Sequence, residues 1–197
     1  MPPHPSIIQS LIIQSSMTQP SIHASCFLAP GSIVLGSVTL GEESSVWYNA
    51  VLRGDIAEIV VGRQTNIQDG AIVHVDEDVP CTIGNRVGIG HRAIVHGCTI
   101  EDGCLIGMGS ILLNRVYIGT GSVVAAGAVL PEGMVVPPGS LVMGVPGRIV
   151  RKVDADLAAR VEENWRHYVE RAREHKAGNY PLVSSRAANA ARDDPLT

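Results

Sequence analysis

Aromatic residues are scarce. They make up 4% of the 197 residues, with a single phenylalanine, so no broad core built on large rings is expected. No run of 18 uncharged apolar residues occurs, and no segment reads as a bilayer-spanning helix. An excess of positive charge is also missing: the net charge of −4 argues against nucleic acid or an anionic membrane as the main partner. The four cysteines, Cys26, Cys81, Cys98 and Cys104, form no C-x-x-C pair and read as reduced thiols in a cytoplasmic protein. Met1 to Gln19 lacks arginine and any basic leader, which separates it from secretory and transit peptides; it reads as a loose arm, with Met17 an alternative start.

What the chain does have is a period. From Ile83 it runs in sixes, with an aliphatic residue first and a small or aliphatic one fifth: Ile83, Ile89, a shortened unit at Val95, then Ile100, Ile106, Leu112, Ile118, Val124 and Leu130. Upstream the frame holds at Val34, Leu40, Val46 and Leu52 and, after three extra residues, at Val61, Ile67 and Val73. Repetition of this kind means a solenoid. Two inward positions per six suit a coil of three short flat faces. Its interior admits only small and aliphatic side chains, which explains the dearth of rings; Cys104, fifth in its unit, belongs there. The fold expected is an all-β solenoid, a parallel β-helix of hexapeptide repeats, followed by a C-terminal helix.

Coils stack at about 4.8 Å, so equivalent positions in successive coils form ladders. His74 and His96 are both second in the third hexad of their coils and should stack one rung apart, with surplus residues around Asp76 to Pro80 between them. His91 is third in a middle hexad, on another face, where one chain does not bring it onto the other two. A neighbouring subunit in a threefold assembly would. Catalytic zinc commonly takes three histidines and a water, and this pattern supplies that ligand set. Iron or cobalt suits imidazole equally. Gln68, second in a middle hexad, should lie beside His91 one coil later, with Asn66 close by; an amide pair satisfying a turn is the plainer reading. Arg53 and Asp55, two apart on a strand, share a face, from which the guanidinium is expected to fork onto a carboxylate of a neighbouring chain. Asp76, Glu77 and Asp78 form a short acidic excursion after a presumptive ligand.

Four segments are expected: an arm over 1–20, the β-helix over 21–150, a helix within 151–178, and a disordered tail over 179–197 with little apolar content. Pro137-Pro-Gly139 and Gly144-Val-Pro-Gly-Arg148 read as the turns that end the solenoid. Asp154 is the predicted cap, Leu157, Val161, Trp165, Tyr168 and Ala172 the apolar stripe, and Gly178 the stop. Asn164 and Tyr168 are placed to reach a subunit cleft. His167 and His175 read as surface residues; His4 and His23 carry no spacing argument.

These residues have a resemblance. Val46-Trp-Tyr-Asn-Ala-Val-Leu-Arg-Gly-Asp55, Thr65-Asn-Ile-Gln-Asp-Gly70, Ile72-Val-His74, Gly90-His-Arg-Ala-Ile-Val-His-Gly-Cys98 and Ile106-Gly-Met-Gly-Ser110 resemble the gamma-class carbonic anhydrase family, over about Ile22 to Lys176. The hexads themselves are shared with acyltransferases. The resemblance implies a left-handed β-helix and a homotrimer with a metal at each interface, bound by His74 and His96 of one chain and His91 of the next. It also implies Gln68 and Asn66 as residues that orient the metal-bound hydroxide and CO2, Tyr168 at the edge of the site, and assembly roles for Arg53, Asp55 and Asp69. The expected function is metal-dependent, reversible hydration of CO2 to bicarbonate. The alternatives are acyl transfer or thioester hydrolysis on coenzyme A with a histidine base, and a non-catalytic trimeric assembly protein. Where founding members carry a glutamate just after the Arg-x-Asp segment, this chain has Ile56, and its loop from Val75 to Cys81 is shorter. Glu58, Asp76 and Glu77 are the nearest carboxylates, and none is assigned as their substitute.

Overall fold

The structure, a computed structural model, describes residues 19–183. The proposed arm up to residue 18, with Met17, and the tail from residue 184 lie outside the described residues.

The hexads fold as the period predicts, into a parallel solenoid. On one face the inward ladder is Leu52, Val73, Val95, Leu112 and Leu130; on the second it is Leu40, Val61, Ile83, Ile100, Ile118 and Val136; on the third it is Val46, Ile67, Ile89, Ile106, Val124 and Val142. All are at most 2% exposed. Burying such β-branched and leucine side chains contributes on the order of 1.5–3 kcal/mol each relative to exposure. Corner positions take small groups, among them Ala93, Cys104, Ser110 and Ser122, all fully buried. Their polar atoms are satisfied by the backbone: Ser110 Oγ donates to Gly107 O at 2.8 Å and Ser122 Oγ to Pro137 O at 3.1 Å. All four cysteines are free and buried. Burial pushes the Cys81 and Cys104 thiols up to about 12, which leaves them as inert packing groups.

The first two faces form one eleven-stranded sheet because a long strand, Val51–Val61, is common to both. Its first half pairs with Ile72–His74 and its second with Cys81–Ile83. The three extra residues after Leu52 are absorbed in this strand, which leaves Asp55, Ile56 and Glu58 exposed. The third face is an eight-stranded sheet, parallel from Phe27–Leu28 through Ser140–Met143. Its last strand, Arg148–Lys152, is antiparallel. That strand corrects the sequence reading, which ended the solenoid in turns at 150: the Gly144 to Gly147 turn reverses the chain into a hairpin, and the sheet runs on to Lys152.

The helix spans Ala155–Lys176. Asp154 caps it, accepting from Leu157 N–H at 2.9 Å, and Arg173, His175 and Lys176 complement its C-terminal dipole. It lies along the third face of its own chain, reversed relative to the stack. Val161 packs with Val123 and Leu141 of late coils, while Ala172 packs with Phe27, Ala29 and Trp47 of early ones. Val169, absent from the predicted stripe, is buried, whereas Leu157 and Tyr168 are half-buried. His175 is a second correction. It is not a surface residue: its Nδ1 lies 2.9 Å from Tyr48 Oη, and its ring sits 5.0 Å from Trp47 and 4.6 Å from Tyr180. Most of the few aromatics are gathered here, outside the coil, where the interior's width does not limit them.

Candidate metal centre

Two parts of the site are built separately. On the first face, His96 pairs in register with His74 one rung away, and their rings sit 5.0 Å apart. His74 Nδ1 and His96 Nε2 face each other at 3.0 Å. What holds the far side of each ring fixes its tautomer. His74 Nε2 lies 3.2 Å from Asp55 Oδ1, and a carboxylate only accepts, so Nε2 carries the proton and Nδ1 a lone pair. Arg53 Nη2, 3.4 Å from that Nδ1, agrees, since a guanidinium only donates. His96 Nδ1 lies 2.6 Å from Asn114 Oδ1, a carbonyl oxygen, so Nδ1 donates and Nε2 keeps its lone pair. Two lone pairs therefore converge on one point. This repels unless a cation stands between them, and two nitrogens about 2.05 Å from a shared tetrahedral zinc would be about 3.3 Å apart. The donor set fits such an ion with a small opening of the pair.

Arg53 and Asp55 share a face, as their spacing predicts, and within the chain Arg53 Nη1 binds Asp55 Oδ2 at 2.6 Å. Arg53, and secondarily His74, holds the Asp55 carboxyl below the usual carboxylate range. The Asp76 carboxyl is held low by the Glu77 backbone N–H first and then by the Asn114 amide, whose Nδ2 donates to Asp76 Oδ2 at 3.0 Å. Glu58, Glu77 and Asp78 are exposed. The same face turns a ladder of β-branched side chains outward in register: Ile33, Val51, Ile72, Ile94, Ile111 and Val129. Ile33 is 48% and Ile72 42% exposed.

The other part lies where the helix crosses the third face. His91 is at the corner after Gly88–Ile89 rather than on a flat face. Its Nδ1 lies 2.9 Å from Asp69 Oδ2, which makes Nδ1 the donor and leaves a lone pair on Nε2, 3.3 Å from Tyr168 Oη. Asp69 Oδ1 accepts from Tyr48 N–H at 3.1 Å. Gln68 Oε1 accepts from His91 N–H at 3.1 Å, and Gln68 Nε2 donates to Asn66 Oδ1 at 2.9 Å. The Gln68 amide thus keeps one N–H and one carbonyl lone pair in hand. Asn66 Nδ2 donates to Asn164 Oδ1 at 3.4 Å. Gly88 makes room for that contact, since a Cβ there would lie 2.5 Å from Asn164 Oδ1. Gln68, His91, Asn164 and Tyr168 line a cavity of about 390 Å³ whose remaining wall, including Ile106, Val124 and Ala125, is apolar. Burial, and then the Asp69 charge, pushes the Tyr168 phenol up to about 12, which keeps it a hydrogen-bond donor.

The histidine pair and His91 stay apart: among the described residues of one chain, no three or more His, Cys, Asp or Glu side chains converge to hold a cation. Sequence reading found the histidines, Gln68, Asn66, Asn164 and Tyr168 but missed Asn114. It sits over Gly97 one coil above, a neighbour that counting rungs would have shown.

The sequence profile for bacterial transferase hexapeptide (six repeats) matches residues 97–132. A protein of Methanocaldococcus jannaschii named "Probable carbonic anhydrase" is 47% identical over 142 residues, 72% of this chain and 89% of its own length. Gamma carbonic anhydrase 2, mitochondrial, of Arabidopsis thaliana is 37% identical over 166 residues, 81% of this chain and 60% of its own. A solved hexapeptide transferase family protein from Anaplasma phagocytophilum superposes with a TM-score of 0.75 at 37% identity, covering 78% of this chain and 91% of that one. Identity of this extent shows that the chain belongs to the gamma-class carbonic anhydrase family.

Proposed function

We propose that this protein catalyses the reversible hydration of CO2 to bicarbonate at sites completed between chains of a homotrimer. A divalent cation, zinc in the first instance and Fe2+ or Co2+ as alternatives, would be held by His74 and His96 of one chain and by His91 of the next. The observation that carries this is the set of ring contacts and the tautomers they imply. Each of the three histidines offers one ring nitrogen to a carboxylate or carbonyl oxygen and turns the other, unprotonated, outward. Metal-ligating histidines are oriented in this way. When bound, such a cation supplies Lewis acidity that lets water ionise near neutral pH.

The chain's own residues do the rest. Gln68, with its carbonyl on His91 N–H and one amide hydrogen on Asn66, is rigid, and its free N–H and lone pair are set to orient the attacking oxygen. Asn66, 1% exposed, serves as Gln68's brace. Tyr168 donates at the cavity edge. The apolar side chains that face this cavity, among them Leu105 and Met108, give CO2 a place free of competing hydrogen bonds. Proton export is the weak step, because Asp76 is engaged with Asn114 while Glu58 and Glu77 face solvent.

Two measurements on one zinc-loaded preparation test this: metal content and the initial rate of CO2 hydration. His91→Ala should lose bound zinc and bring the rate down to that of buffer. A wild-type rate no higher than buffer, or a variant unchanged in both measures, refutes the proposal. The cavity is far larger than CO2, and a relative in this fold is named a transferase, which favours acyl transfer on coenzyme A as a second reading. Thiol release from a panel of acyl-CoA thioesters would support it.

A further inference from the structure

We infer that Asp76, acting through Asn114, is a positioning residue that decides which ring nitrogen of His96 carries the proton. The inference rests on the metal reading above but concerns a contact outside the ligand set. Asp76 and Asn114 are 38 residues apart and are brought together because the excursion after His74 folds back as a tight turn, with Asp76 and Val79 bridged across it. Three levels then stack: the Asp76 turn, the His96–Gly97 corner, and the Asn114–Arg115 corner, whose Arg115 N–H donates to Gly97 O at 2.7 Å.

An amide side chain can point either way, and its neighbours choose. Asp76 Oδ2 accepts only, so the Asn114 NH2 must face it, at 3.0 Å. The Asn114 carbonyl oxygen is thereby turned to His96 Nδ1, at 2.6 Å, and that nitrogen must donate. His96 Nε2 is left unprotonated, 3.0 Å from the lone pair of His74 Nδ1. Without the carboxylate the amide is free to flip. Its NH2 would then face Nδ1, and the proton would move to Nε2, the nitrogen a cation needs. Gly97 reserves the space. It has φ +56°, and a Cβ there would lie 2.8 Å from Asn114 Oδ1 and 2.6 Å from Val79 Cγ1. The arrangement is a carboxylate–amide–imidazole chain in which an acceptor at one end orients the amide and so places the proton at the other.

The test uses full-length protein with zinc as the probe. In the metal-free form, long-range 1H–15N correlation should show His96 protonated at Nδ1. Asp76→Asn, which can still accept the Glu77 N–H and sits on an exposed turn, should give a mixture of tautomers and weaken zinc binding, by chelator competition, about tenfold. Asn114→Leu should approach 100-fold, the upper range for a lost outer partner of a metal-ligating histidine. The exchange Asp76→Asn with Asn114→Asp restores an acceptor opposite His96 and a donor opposite it, and should recover most of the loss. Asp76→Asn with a wild-type tautomer and wild-type zinc affinity overturns the inference, as does a double variant no better than the single ones. Failure of the metal reading looks different: zinc binding indifferent to His74→Ala, while Asp76→Asn still shifts the His96 tautomer.

Discussion

Tyr168 shows how much a single side chain can owe to burial. Its hydroxyl lies 3.3 Å from His91 Nε2, which leaves that hydrogen free for the attacking oxygen once a cation takes the nitrogen's lone pair, and its ring packs 5.2 Å from Trp47, so its place is set from two sides. Tyr168→Phe should keep zinc content unchanged and lower the hydration rate roughly fivefold, the worth of about one net hydrogen bond of ~1 kcal/mol; stopped-flow rates beside metal analysis check this. A variant that loses zinc would make Tyr168 a structural prop instead. At this scale the sequence was legible where the ladder rule applies. His74 and His96 follow from counting rungs, and the proximity of Gln68 to His91 from counting one rung more. Asn114 was within reach of the same count and was missed; the packing of His175 was not legible, because side-chain reach across to a helix follows no period. For Arg53 and Asp55 the shared face was readable, but the approach of His74, 19 residues beyond Asp55, was not.

The helix is legible as an element, since cap, stripe and stop are all written locally. Its exact burial is not, because Val169 and Tyr168 are adjacent and the stripe's centre depends on what it meets. Its C-terminal end is pinned to the second coil by Arg173 on Glu43, with Gln64 Nε2 donating to the same carboxylate at 3.1 Å. Arg173, and then Gln64, holds the Glu43 carboxyl below the usual glutamate range. The sign follows: the folded state favours the ionised form, so the contribution is complete above the ordinary glutamate range and is lost as pH falls through the lower, folded value. A partly solvated pair of this kind is worth about 0–1 kcal/mol. Thermal unfolding followed through Trp165 should therefore show a small acid-side loss that Glu43→Gln removes. The strand Arg148–Lys152 was not foreseen, since Gly and Pro around it signal an ending whether the chain then stops or turns back.

At the scale of the whole molecule, the outward ladder from Ile33 to Val129 sets the expectation. A charge on its middle rung, Ile94→Asp, leaves the inward ladders untouched and should turn the proposed trimer into a folded single chain, as read by light scattering of both proteins. Zinc binding should fall with it, because His91 then has no partner chain to complete. Retention of the trimer by this variant would place the contact on another face. The three-faced coil was legible in full, since six-residue spacing and the lack of aromatics both state it. How copies meet was not, because a face that binds a copy and one that binds a helix differ only in what lies beyond them.

The reversed final strand has one more consequence. A stack of parallel rungs ends in a row of unpaired amides and carbonyls that matches the next rung of any other stack, an open template for endless addition. Running Arg148–Lys152 backwards across Ser140–Met143 spoils that match and sets Arg148, Arg151 and Lys152 along the rim. On the third face the hairpin thus closes the stack, and a chain cut before Gly144 would leave that edge open to a second copy.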